Sequence, residues 1–200
     1  MLVIGLTGPS GAGKGEVARL FCAHGIPVID ADEVYHRLLV PPSLCLNDLT
    51  ARFGREILNA DGTLCRPRLG SIVFSDPKSL SDLNAITHRY VMEKIRESLE
   101  AHRRDGARAT VIDAPQLFEA GADALCDKIV SVLADRETRV SRIMARDGID
   151  RDRAEKRIDA QKDDAFFCER SDRVIKNDGA RELLAPVVCR MLSEWEVISP

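Results

Sequence analysis

The chain has 200 residues, 44% apolar and 30% charged, a balance that lets it bury a core and excludes a disordered chain; one α/β core with a helical insertion fits this length, two full domains do not. Its 29 Lys and Arg, set against 32 Asp and Glu, leave a formal charge of -3 spread along the sequence, so no overall field marks it for nucleic acid or an anionic membrane. The cysteines Cys22, Cys45, Cys65, Cys126, Cys168 and Cys189 form no CxxC pair, and no basic leader or uncharged membrane-length run occurs, so reduced thiols in a cytoplasmic protein are expected.

Leu2 to Leu6 is a short apolar run ending in glycine-rich sequence, which predicts a buried strand. Val17, Ala18, Leu20 and Phe21 then predict a helical face closed by His24 and Gly25, and Val28-Ile29 predict a second strand running into Asp30. Further strands are predicted at Thr110 to Ile112 before Asp113, at Ile129 to Leu133 before Asp135, and at Val174-Ile175. Acidic residues at strand ends lie where open α/β sheets bind ligands. Between the second and third strands the sequence reads as helical, far longer than a simple crossover needs, and Leu80, Leu83, Ile86, Tyr90, Ile95 and Leu99 carry a helix toward a stop at Gly106. Within this insertion, expected to hold the acceptor pocket, Pro41-Pro42, Asp61-Gly62 and Asp76-Pro77 predict turns. Arg136 to Gln161 is an arginine-rich helical stretch broken at Gly148 and expected at the surface; Arg139, Arg151 and Arg153 are read as solvated. From Ala180 onward, Leu183, Leu184, Val187, Val188, Met191, Leu192 and Trp195 predict the apolar face of a terminal helix.

Gly8-Pro9-Ser10-Gly11-Ala12-Gly13-Lys14 matches the GxxxxGK core of a phosphate-binding loop, between a predicted strand and a predicted helix. Glycines let successive N–H groups turn onto phosphate oxygens, the helix N-terminus adds its dipole, and the lysine bridges the β- and γ-phosphates of a bound nucleotide. The residue after the lysine, commonly a hydroxyl that ligates magnesium, is Gly15, so the metal must be held otherwise. Asp113 ends its strand as a Walker B aspartate does and is the candidate for holding magnesium through water; a turn or capping role is its alternative. Arg142 and Arg146 lie one turn apart on one helical face, where both could reach ATP phosphates, with surface solvation as the alternative.

From Val28-Ile29-Asp30-Ala31-Asp32 the chain resembles the dephospho-coenzyme A kinases. The likeness continues through Phe53-Gly54, Asp61-Gly62-Thr63-Leu64, Leu69-Gly70-Ser71-Ile72-Val73-Phe74, Leu83-Asn84 with His88, Asp113-Ala114-Pro115, Leu117-Phe118-Glu119, and Arg157-Ile158 with Gln161. Arg89 stands where the family commonly has proline, Gln116 where an apolar residue is usual, and Gly15 where serine is usual. The resemblance implies an α/β, P-loop NTPase-like three-layer fold with a five-stranded parallel sheet: a core of residues 1–32, 107–135 and 172–200, a helical substrate-binding insertion of 33–106, and a lid of 136–165. It implies transfer of the ATP γ-phosphate to the ribose 3′-hydroxyl of dephospho-coenzyme A, with Mg2+, in a monomer or small homo-oligomer that uses neither nucleic acid nor membrane.

The resemblance also implies roles for individual residues. Asp32, just past the second strand and expected to face the γ-phosphate across the cleft, would accept the hydroxyl proton; capping of the following helix is its alternative, and Asp30 is expected to be structural. Lys14 and Arg142 would join it in catalysis. Gly11, Ala12, Gly13, Lys14, Gly15, Glu16, Arg142, Arg146 and Asn177 would hold the nucleotide, although Asn177-Asp178-Gly179 also fits a simple turn. His88, Pro115 and Leu117 would line the acceptor side; a partly buried structural histidine is the alternative for His88. A nucleoside monophosphate kinase shares the loop, the lid and the glycine after the lysine, and a non-catalytic nucleotide-binding module shares the loop alone; both stand as alternative functions.

Overall fold

The computed structural model of the chain describes residues 1–179 and 181–198. Five strands, β1 (Leu2–Thr7), β2 (Val28–Asp30), β3 (Ala109–Asp113), β4 (Lys128–Leu133) and β5 (Arg173–Lys176), form one sheet in the order β2-β3-β1-β4-β5. β1 is parallel to β3, with Leu6 opposite Asp113, and to β4, with Ile4 opposite Lys128; β5 is parallel to β4. Every predicted strand forms within a residue of its expected limits, because a parallel sheet covered by helices needs continuous apolar runs. From β1 the chain leaves toward one edge of the sheet, and from β3 toward the other. The carboxyl ends of these neighbours, at Thr7 and Asp113, therefore flank the switch point where such sheets bind ligands.

The chain divides into two compact units, Met1–Ile29 with the residues from Ala101 onward, and Asp30–Glu100. In the first, Ile4, Leu6, Val111, Val130 and Val132 of the sheet pack against Val17 and Phe21 of α1 (Lys14–Ala23) and against Val188 and Leu192 of α9 (Leu184–Glu194). Burying a side chain as large as Phe21 contributes about 1.5–3 kcal/mol. The terminal helix departs from expectation: Ala180 lies outside the described residues, and Leu183 and Val187 are 63% and 44% exposed. The buried stripe is Leu184, Val188, Met191 and Leu192, and each exposed residue sits one position, about 100° of helical turn, before a member of that stripe.

The arginine-rich stretch forms α6 (Arg136–Asp147) and α7 (Arg151–Asp159), followed by α8 (Asp164–Arg170). Gly148 ends α6 in the left-handed conformation, and the Asp150 side chain caps α7 by accepting from the Arg153 N–H. The stretch is mostly exposed, as expected, apart from Arg139 and one apolar seam. Val140 and Ile143 meet Ala154 and Ile158 in a small core of their own, because both helices turn their few apolar residues to one face.

In the second unit, α2 (Ala31–Leu38), α3 (Leu44–Phe53), α4 (Arg66–Val73) and most of α5 (Pro77–Arg104) build the helical insertion. Leu49, Phe53, Ile57, Leu69 and Val73 form its core, with Leu80, Leu83, Ile86 and Tyr90 of α5 packed against them. Asp61 accepts from the Thr63 N–H in the expected turn. Asp76-Pro77 does not make a turn but opens α5: Asp76 accepts from the N–H groups of Lys78 and Ser79, and proline at the first helical position loses no bond.

Candidate active site

The glycine-rich loop joins β1 to α1, and its Gly8, Gly11 and Gly13 have φ of 146°, 81° and 94°. At Gly11 the need is also spatial, since a Cβ there would lie 2.7 Å from the Arg139 carbonyl oxygen and 2.9 Å from the Arg139 Cα; the backbone of α6 closes directly on the loop. Helix α1 starts on Gly13 with no side-chain cap, so its first N–H groups are left to another partner.

The loop's peptides are oriented by donors reaching in from elsewhere in the first unit. Arg139 Nε donates to the Ser10 carbonyl at 3.0 Å, Arg142 Nη1 to the Gly11 and Ala12 carbonyls at 3.4 and 3.3 Å, and Asn177 Nδ2 to the Ala12 carbonyl at 2.8 Å. In a trans peptide the N–H points opposite its carbonyl. Drawing the Ser10 and Ala12 carbonyls outward therefore turns the Gly11 and Gly13 N–H groups the other way. Among the described residues no hydrogen bond uses the N–H of Gly11, Gly13, Lys14 or Gly15. Four donors at a helix N-terminus make a nest for a polyanion, reinforced by the helix dipole. The Lys14 ammonium completes it, paired with the Asp113 carboxylate at the end of β3.

Three arginines of one α6 face, Arg139, Arg142 and Arg146, reach this loop. Arg146 Nη2 donates to Ser10 Oγ at 3.2 Å, while its Nε donates to Asp147 at 2.8 Å. Asp147, hydrogen-bonded to Arg146 and then to Arg157, has its carboxyl held down at about 2. Arg139 overturns its reading as a solvated residue. It is 5% exposed, its Nη2 donates to Gln161 Oε1 at 2.8 Å, and burial lowers its pKa from the usual arginine value. The same Gln161 oxygen accepts from the Ser10 N–H at 3.2 Å. Arg139 and Gln161 are thus site residues that sequence reasoning missed. The available signal was the 139, 142, 146 spacing, which puts Arg139 on the face of the two arginines already singled out.

Other residues fall as follows. Asn177 is buried, and the following Asp178 accepts from the Asp135 N–H, so the segment is more than an open turn. Glu16 lies in the first turn of α1 and pairs with Arg19; a Cβ at Gly15 would meet nothing within 4 Å. Pro115 is exposed, and its carbonyl accepts from Thr7 Oγ1 at 3.3 Å. Leu117, expected beside the acceptor, is fully buried, and a Cβ at Gly5 would meet its Cδ2 at 2.8 Å, so its side chain packs against β1.

In the second unit, Asp30 caps α2, accepting from the Asp32 and Glu33 N–H groups at 2.9 and 3.0 Å. The capping alternative for Asp32 thus belongs to Asp30, and the Asp32 carboxylate is exposed in the first turn, where a helix dipole favours negative charge. His88 is half-buried on α5, and burial lowers its pKa, favouring the neutral ring. Among the described residues, no group of three or more His, Cys, Asp or Glu gathers to hold a metal ion, and no helix is long and apolar enough to cross a membrane.

A family model described as dephospho-CoA kinase matches residues 2–182. A curated dephospho-CoA kinase of Geobacillus kaustophilus is 36% identical over 197 residues, covering 98% of each chain. Among solved structures, a Thermus thermophilus protein superposes with a TM-score of 0.81 at 33% identity, covering 96% of this chain and 97% of its own. The dephospho-CoA kinase of Campylobacter jejuni does so with a TM-score of 0.72 at 25% identity, covering 96% of each. The chain belongs to the dephospho-CoA kinase family and is an ATP-dependent kinase of the P-loop fold.

Proposed function

We propose that the chain carries the terminal phosphate of ATP to the ribose 3′-hydroxyl of dephospho-coenzyme A, giving ADP and coenzyme A. The observation that supports this most is the set of N–H groups at Gly11, Gly13, Lys14 and Gly15 that no hydrogen bond uses among the described residues, while the loop carbonyls are tied to Arg139, Arg142 and Asn177. Such a nest grips phosphates without reorganising during the reaction, which is what phosphoryl transfer asks of an enzyme. In this reading Lys14 neutralises charge on the transferred group. Arg142, whose Nη1 donates to the Gly11 and Ala12 carbonyls, turns from them to present its planar fork to the same oxygens, while Asn177 keeps the Ala12 carbonyl. Ala12, Glu16, Arg146 and Asn177 complete the nucleotide side, with residues 136–165 as a lid.

Magnesium keeps several waters and takes other ligands from the phosphates, so one carboxylate at the end of β3 fits it, and Asp113 would hold it through water. Bound there, it would offset charge developing between the β- and γ-phosphates. Asp32, relieved of capping by Asp30, orients the acceptor hydroxyl and takes its proton late. His88 of the insertion, residues 33–106, and Pro115, just after β3, serve the acceptor, and the protein acts in the cytoplasm as a monomer or small homo-oligomer.

The test offers dephospho-coenzyme A, AMP and CMP in parallel with ATP and magnesium, followed by mass spectrometry. One added phosphoryl group on dephospho-coenzyme A is expected, and phosphorylation of the monophosphates alone would reverse the assignment. Asp32→Asn should keep ATP affinity and lose about 10²–10⁴ in turnover; unchanged turnover would remove Asp32 from this role.

A further inference from the structure

We infer that Arg139 and Gln161 act as a positioning pair that sets the phosphate loop in its gripping conformation, through both ends of one residue, Ser10. Arg139 takes the Ser10 carbonyl at 3.0 Å, Gln161 takes the Ser10 N–H at 3.2 Å, and the two partners are bonded to each other at 2.8 Å. This closed circuit of three hydrogen bonds fixes the orientation of two successive peptide planes. The second carries the Gly11 N–H, the first donor of the nest. Arginine suits the task because Nε and Nη2 of one rigid plane serve the two acceptors together, which a lysine ammonium on a flexible stem does not reproduce. The side chain is 5% exposed, so its hydrogen bonds compete little with water. Its own backbone walls the loop at Gly11, which ties α6 to the loop from two directions. Gln161 stands between α7 and α8, so the pair also ties the end of the arginine-rich stretch to the loop.

The inference rests on the reading of the loop as the ATP-gripping element. Its test measures ATP binding by calorimetry, and the KM for ATP against that for dephospho-coenzyme A, in the wild type, Arg139→Met, Arg139→Lys, Gln161→Met and the double variant. Arg139→Met and Gln161→Met should each weaken ATP binding about tenfold and raise its KM, while the acceptor KM holds. The double variant should be little worse than either single, since both act through Ser10, and Arg139→Lys should recover only part of the loss. Gln161, only half-buried, keeps the test open if Arg139→Met does not fold. Variants that melt earlier yet bind ATP as the wild type does would overturn the inference, as would fully additive losses. A wild-type chain that fails to bind ATP overturns the phosphate-loop reading, and this inference with it.

Discussion

Replacing Gly11 with alanine tests whether the close approach of α6 defines the loop. The φ of 81° lies in the left-handed region, where a residue with a Cβ costs about 1–2 kcal/mol. The added carbon would stand 2.7 Å from a carbonyl oxygen and 2.9 Å from a Cα of Arg139, backbone atoms that cannot rotate aside, and overpacking of this kind costs about 1–3 kcal/mol. Together these give about 2–5 kcal/mol, or a melting temperature lower by roughly 4–20 °C for a chain of this size. ATP binding should weaken about 10- to 100-fold as the Gly11 N–H swings off its target, the loss expected for one hydrogen bond to a charged group. Gly15→Ala is the internal comparison. A Cβ there meets nothing within 4 Å and the position is helical, so alanine should raise the melting temperature by roughly 1–4 °C. Calorimetric melting of both variants checks the pair; Gly11→Ala melting with the wild type would refute the steric reasoning.

Two further outcomes follow from the electrostatics. Asp147 titrates at about 2 instead of 3.8, its ionised form favoured by Arg146 and Arg157, so its stabilisation is complete above about pH 4 and is lost as the pH falls toward 2; Asp147→Asn should flatten the melting-temperature profile across that window, and an unaltered profile would count against the pairing. Burial pushes the Cys45 thiol up to about 11 and Cys126 to about 12, whereas Cys22, Cys168 and Cys189 are exposed. A disulfide reagent at about pH 8 should therefore modify the exposed three first and reach Cys45 and Cys126 only on unfolding; simultaneous reaction of all six would contradict the burial.

The amino-acid sequence by itself determined the strands, the phosphate loop and the family. The reason is local: apolar runs, glycine spacing and the lysine act within a few residues of one another, and a strand-loop-helix unit needs nothing from afar to be legible. Asp30 and Asp32 show the boundary, since both fit a helix start and only the backbone geometry gives the cap to Asp30. The 139, 142, 146 spacing puts three arginines on one face of α6, and the tertiary structure decided that Arg139 among them is buried. Arg139 and Arg151 look alike as charged residues on helices, yet Arg139 lies against a loop some 129 positions earlier in the chain while Arg151 pairs with Glu137 at the surface. The burial of Leu117 was hidden for the same reason, because its 0% exposure comes from packing against β1. Side-chain partners distant in sequence leave no periodic trace; they exist only once the sheet has brought its switch point and α6 together.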